Sequence, residues 1–132
     1  MQLLVNIDVA DLAIATDFYC RALGLTVGRR FGATAVELVG APSPIYLLAK
    51  PAGGAATPGG TARDYARHWT PVHLDFVVDD LEAAVERARA AGAAVEQEIT
   101  HHAWGDLALF ADPFGHGFCL LAFRGRGYDE LL

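Results

Sequence analysis

Pro71-Val72-His73-Leu74-Asp75-Phe76-Val77-Val78-Asp79-Asp80-Leu81 reads as a β-strand running straight into a helix. Val, Leu and Phe favour a strand, and Asp79 or Asp80 can accept hydrogen bonds from the first free N–H groups of the helix. An earlier stretch, Leu4-Val5-Asn6-Ile7-Asp8-Val9-Ala10-Asp11-Leu12, has the same design. With Asp11-Leu12 laid on Asp80-Leu81, Leu4 falls opposite His73 and Asn6 opposite Asp75. The chain therefore reads as two copies of one unit, and its function is expected where the copies face each other.

Outward from these stretches, alternation over residues 2–9 puts Leu4, Asn6 and Asp8 on one strand face and Val5, Ile7 and Val9 on the other. The apolar set should pack on a helix over 12–23, patterned by Ile14, Phe18, Ala22 and Leu23, capped by Asp11 and stopped at Gly24. Strands are expected over 26–31, 33–38 and 45–50. The second copy repeats the plan: a strand over 72–78, then a helix over 81–91 that packs through Leu81, Val85 and Ala88 and stops at Gly92. Its further strands are expected over 94–99, 106–111 and 118–123. Ile45-Tyr46-Leu47-Leu48-Ala49-Lys50 echoes Phe118-Cys119-Leu120-Leu121-Ala122-Phe123, which pairs Tyr46 with Cys119.

A single domain over residues 1–132 is expected. Module one spans 1–50, a linker 51–70, module two 71–123 and a tail 124–132. Gly, Ala and Pro dominate 51–61, the composition of a flexible linker. Tyr128, Leu131 and Leu132 in the tail are candidates to dock on a neighbour.

The 132 residues are 53% hydrophobic, enough for a real core. A formal charge of −6 argues against a nucleic-acid partner, which favours a basic face. No apolar run approaches the roughly 20 residues that span a bilayer, and Met1-Gln2-Leu3-Leu4 lacks the features of a secretion signal. Two cysteines, Cys20 and Cys119, make no disulfide framework, so a reduced, cytoplasmic protein is expected.

Two βαβββ copies with Val9-Ala10-Asp11-Leu12, Asp17-Phe18-Tyr19, Leu23-Gly24-Leu25, Trp104-Gly105 and Asp112-Pro113-Phe114-Gly115-His116 resemble the vicinal oxygen chelate superfamily. That superfamily includes glyoxalase I, bleomycin-resistance proteins and extradiol dioxygenases. The final motif is close to the family's Asp-Pro-x-Gly-Asn turn, with His116 in place of Asn. The resemblance implies an α+β fold in which two βαβββ modules form an eight-stranded, cup-shaped incomplete barrel around a ligand. It also implies a homodimer, because such modules often pair across chains. Metal-dependent members place one ligand on the first and last strand of each module, which here implies Leu4, Tyr46, His73 and Cys119.

Leu4 has no donor atom, and a tyrosine phenol titrates near ~10. Two good donors, His73 and Cys119, are too few for a tight divalent site, so no metal cofactor is expected. A divalent ion at His73 is the alternative. Asn6, Asp8 and Asp75 offer a different donor set, but Asp75 is placed roughly 6–7 Å from His73 by strand spacing.

The ligand-binding candidates are Asn6, Asp8, Tyr46, His73, Asp75, Trp104 and Cys119. His73 is the catalytic candidate, since imidazole suits proton transfer near neutral pH. Its structural alternative is a buried histidine bonded to Tyr46 or Asn6. Cys119 reads either as a thiolate nucleophile or as a small core residue. Asn6 and Asp75 suit hydrogen bonding to a ligand, and an ionised Asp75 favours an amine. Trp104 reads as a stacking surface for a planar ligand or as the anchor of a turn. The expected function is metal-free binding of a small apolar or aromatic molecule, such as sequestration of an antibiotic or metabolite. A lyase, isomerase or dioxygenase using His73 is one alternative; an interaction domain with a filled interior is another.

Overall fold

The computed structural model describes residues 1–132, and its first unit is Met1–Ala66. That unit runs β1 (Val5–Val9), α1 (Leu12–Leu23), β2 (Thr26–Phe31), β3 (Ala35–Val39) and β4 (Ile45–Ala49). The sheet order is β1-β4-β3-β2. β1 lies parallel to β4, and the other pairs are antiparallel. A parallel pair cannot be joined by a tight turn, and here α1, β2 and β3 all intervene between its strands.

The bounds of α1 follow from its caps. The Asp11 carboxylate accepts a 2.9 Å hydrogen bond from the Ile14 N–H. Gly24 leaves the helix with φ of 66°, a left-handed geometry that glycine adopts without strain. Ala15, Phe18, Tyr19 and Ala22 are buried, together with Val9, Val36, Leu38, Ile45 and Leu47 of the sheet. Ile14, expected in the core, is 54% exposed. The apolar stripe is rotated by one residue, and an Ile14-Phe18-Ala22 pattern shares two members with the true one.

β1 begins at Val5 rather than residue 2 because its partner begins at Ile45, and the Val5 N–H is already spent on the Pro44 carbonyl. The segment after β4 is not a bare tether. Gly53 and Arg63 exchange backbone hydrogen bonds with the Arg63 and Gly54 carbonyls, each 2.8 Å, and Ala55 bridges Ala62. The Tyr65 hydroxyl donates to the Lys50 carbonyl at 2.6 Å. The small residues of this segment serve tight turns rather than freedom.

The second unit, Arg67–Leu132, contains β5 (Leu74–Val77), α2 (Leu81–Ala91), β6 (Ala94–His102), β7 (Gly105–Ala111) and β8 (Gly117–Phe123). Its order, β5-β8-β7-β6, repeats the first. Asn6 faces Tyr46 across β1 and β4, and Asp75 faces Cys119 across β5 and β8. The register therefore makes Asn6 equivalent to Asp75 and Tyr46 to Cys119. Asp80 caps α2 by accepting from the Ala83 N–H at 3.0 Å. Leu81, Ala84, Val85 and Ala88 form its buried face.

β6 runs on to His102 because β7 begins at Gly105 and pairs with it. A short 3-10 helix, Gly127–Leu131, ends the chain. Its Tyr128 packs on its own module: its ring centroid lies 5.1 Å from Trp104 and 4.9 Å from Phe123. Leu131 and Leu132 remain exposed. No helix is long and apolar enough to cross a membrane.

Candidate ligand-binding site

The first module gathers Asn6, Asp8 and Tyr46 on the sheet face that turns away from α1, where their alternation puts them. Two of the three are engaged within the module. Arg63 donates to Asp8 at 2.6 Å and also to the Ala55 carbonyl. Tyr46 donates its hydroxyl to Glu37 at 2.9 Å and accepts from Arg29 at 3.0 Å. Asn6 is exposed.

Glu37 is the centre of this network and was not singled out from the sequence. It is only 7% exposed and sits directly across from Tyr46 on β3. Arg29 grips it through the backbone N–H at 3.1 Å and through Nε and Nη2 at 2.9 and 2.5 Å. Hydrogen bonds from Arg29 and then Tyr46 pull the Glu37 carboxyl down to about 2. The same contact pushes the Arg29 guanidinium above its ordinary range. The irregular register between Val27 and Arg30 aims Arg29 at the acid, and Gly28 leaves the space. A Cβ at Gly28 would lie 2.7 Å from Glu37 Oε2. The sequence signal was a single acid inside the apolar run Ala35-Val36-Glu37-Leu38-Val39.

The second module holds a cavity beside His73 and Cys119. A pocket of about 180 Å³ is lined by the apolar Leu109, Phe110 and Phe118, by His73 and Cys119, and by Arg67 and Glu96. Trp69, 81% exposed, stands at its edge.

His73 is exposed, which overturns its reading as a buried structural histidine. Its Nε2 lies 3.2 Å from Asp75 Oδ1, far closer than strand spacing suggested. His73 precedes the first residue of β5, so its side chain is free of the regular strand and leans toward Asp75. The Cys119 thiol also hydrogen-bonds Asp75. Burial first, and that bond second, push the thiol up to about 12. A thiol so placed is protonated at neutral pH and is no nucleophile.

Arg67 and Glu96 form a two-pronged pair, Nε to Oε1 at 2.5 Å and Nη2 to Oε2 at 2.8 Å. Their mutual hydrogen bonds raise the arginine and lower the glutamate. Arg67 also donates to the His68 carbonyl at 2.6 Å and the Gly115 carbonyl at 3.4 Å. Its guanidinium occupies the space over Gly117, where a Cβ would lie 2.7 Å from Nη2. The pair spans 29 residues, and no periodicity in the sequence links its members.

Trp104 is not at this pocket. It lies at the opposite end of β7, stacked on His102 at 5.1 Å and packed against Phe123 and Tyr128. It anchors a turn and the C-terminal helix.

The four positions implied for a superfamily metal do not make a fit. Leu4 has no donor, the Tyr46 phenol is committed to Glu37 and Arg29, and the Cys119 thiol is held protonated. A different trio converges: His73, Asp75 and Cys119 bring ligand atoms to within 4.8 Å of one another. Its thiol is the weak member for the same reason.

The Glyoxalase-like domain family matches residues 4–121. The chain belongs to this family, within the vicinal oxygen chelate superfamily. The chain is 18% identical to the fosfomycin resistance protein FosX from Listeria monocytogenes, with a TM-score of 0.73 over 100% of this chain and 98% of that one. TioX from Micromonospora sp. ML1 is 19% identical, with a TM-score of 0.71 over 94% and 99% of the two chains. A glyoxalase/bleomycin resistance protein/dioxygenase family enzyme from Burkholderia phytofirmans PsJN is 19% identical, with a TM-score of 0.70 over 92% and 97%. At these identities the likeness is one of fold. The uncharacterized protein Rv0887c of Mycobacterium tuberculosis is 42% identical over 52 residues, 39% of this chain and 31% of its own length. The match thus spans about a third of that relative.

Proposed function

We propose that this protein binds a small apolar or aromatic molecule, without a metal, in the pocket of its second module. The observation that carries the reading is the cavity itself. An apolar lining is joined by a few polar groups, His73, Cys119 and the Arg67–Glu96 pair, the usual make-up of a small-molecule site. Sequestration of an antibiotic or metabolite is the role put forward, and a resistance protein stands among the neighbours in fold. A cytoplasmic homodimer is proposed with it, on the family resemblance.

The test is elemental analysis of the purified native protein, combined with mass spectrometry of what co-purifies. An organic molecule released on denaturation, with less than about 0.1 equivalent of divalent metal, supports the reading; a stoichiometric metal sinks it.

The 3.2 Å contact of His73 with Asp75 favours a second reading. The carboxylate would orient the imidazole, making His73 a general acid or base. His73→Ala would then abolish turnover of a thiohemiacetal, catechol or epimerisable substrate. Unchanged turnover across such a panel removes this reading for those substrates.

A further inference from the structure

We infer that Trp69 is the specificity-determining residue of the second-module pocket and Arg67 its positioning residue, together selecting a flat, fused-ring ligand over a puckered one of the same skeleton; the inference rests on the binding reading above. It starts from an imbalance between the two tryptophans. Trp104 is packed against His102, Phe123 and Tyr128. Trp69 lines the pocket and is nevertheless 81% exposed. A bare indole forgoes the burial of a large apolar face. Beside an apolar pocket, that face is open to a ligand.

The backbone that carries Trp69 is irregular but fastened. Residues 67–73 form neither helix nor strand. Arg67 ties the start of this strap to β6 through its two-pronged contact with Glu96, at 2.5 and 2.8 Å. It also reaches the Gly115 carbonyl, in the turn between β7 and β8, at 3.4 Å. It folds back on the His68 carbonyl at 2.6 Å, and that peptide leads into Trp69. The bare backbone of Gly117 leaves room for the guanidinium: a Cβ there would lie 2.7 Å from Nη2. Thr70 steadies the far side by donating to the Val72 carbonyl at 3.0 Å. The planar fork of an arginine can make these contacts at once, and they fix the point from which Trp69 departs. Volume supplies the ligand class. A cavity of about 150 Å³ takes one benzene ring, so about 180 Å³ holds one ring against Leu109, Phe110 and Phe118. A second fused ring must extend outward, where Trp69 stands. Stacking on the indole favours a planar π system over a saturated ring.

The probes are 2-naphthol and trans-decahydro-2-naphthol, which share a skeleton and a hydroxyl and differ in flatness. Each is titrated into the full chain by calorimetry. The chain has two tryptophans, so two indole N–H resonances are followed by NMR, and Trp69→Phe assigns them. 2-Naphthol should bind about three- to tenfold more tightly, the size of an aromatic stacking contribution. It should move the Trp69 resonance upfield and leave that of Trp104 in place. Trp69→Ala removes an exposed side chain, not a core one, and should bring the two affinities together; Trp69→Phe should keep part of the difference. Arg67→Lys loses the two-pronged grip, and Gly117→Ala pushes the guanidinium aside. Each should shift the Trp69 resonance of the free protein and shrink the preference. Equal binding of the two probes, or a preference that survives Trp69→Ala, overturns the role of Trp69 and leaves the pocket reading standing. A resonance and a preference unmoved by both Arg67→Lys and Gly117→Ala overturn the role of Arg67. If neither probe binds at about 1 mM, the inference and the pocket reading both fall.

Discussion

Asp112→Ala should cost this protein much of its stability, although Asp112 does not touch a ligand. The side chain is 4% exposed, and its Oδ1 accepts the Phe114 N–H at 2.8 Å and the His116 N–H at 2.9 Å. These bonds shape the turn that joins β7 to β8, closed by the Asp112 N–H to the His116 carbonyl at 2.9 Å. Removing the carboxylate strands two backbone donors, each worth about 1–3 kcal/mol when left unpaired, so the loss should be about 2–6 kcal/mol. Asn keeps an oxygen in the same place and gives up only the charge, so Asp112→Asn should cost about 1 kcal/mol. Urea unfolding of the three proteins under one set of conditions measures both losses. The reasoning fails if Asp112→Ala costs less than about 1 kcal/mol, or if Asn is as damaging as Ala.

Two further predictions concern titration. Glu37 titrates near 2 in the folded chain against an ordinary 4.5, so the unfolded chain takes up its proton first. The stability that Arg29 and Tyr46 confer through it is present above about pH 4.5 and drains away as pH falls toward about 2. Glu37→Gln should flatten that limb of a plot of urea midpoint against pH; an unchanged slope refutes the assignment. For Cys119, alkylation of the folded protein at about pH 8 should leave the residue unmodified by peptide mass mapping. Its ultraviolet thiolate absorbance should rise only as pH nears 12, and modification at neutral pH would refute the burial argument.

The helices were legible in the sequence to the residue, because Asp11 and Asp80 cap their starts and Gly24 and Gly92 stop them. Those signals are local. Strand ends were less so, because a strand extends only as far as its partner: β1 lost residues 2–4 and β6 gained residues 100–102. The duplication and the equivalence of Tyr46 with Cys119 were legible in repeated letters, and the sheet registers bear them out. Contacts between distant side chains were not. Arg63 on Asp8 spans 55 residues and Arg67 on Glu96 spans 29. Each arises from how a loop returns to its sheet, and neither leaves a spacing to read. The His73–Asp75 approach is hidden for a subtler reason: strand spacing applies to residues within a strand, and His73 sits one step outside it.

The two halves have diverged most tellingly at one pair of matched positions. Where β3 offers Glu37 across from Tyr46, β7 offers Leu109 across from Cys119. One copy has spent that spot on a polar plug; the other has left it hollow. The same scaffold accepts either filling at this spot, and the choice lies with a handful of side chains. Emptying the first half, by trading Glu37 for leucine and Arg29 for alanine, would be a direct way to give a duplicated fold a second, independently tunable receptor.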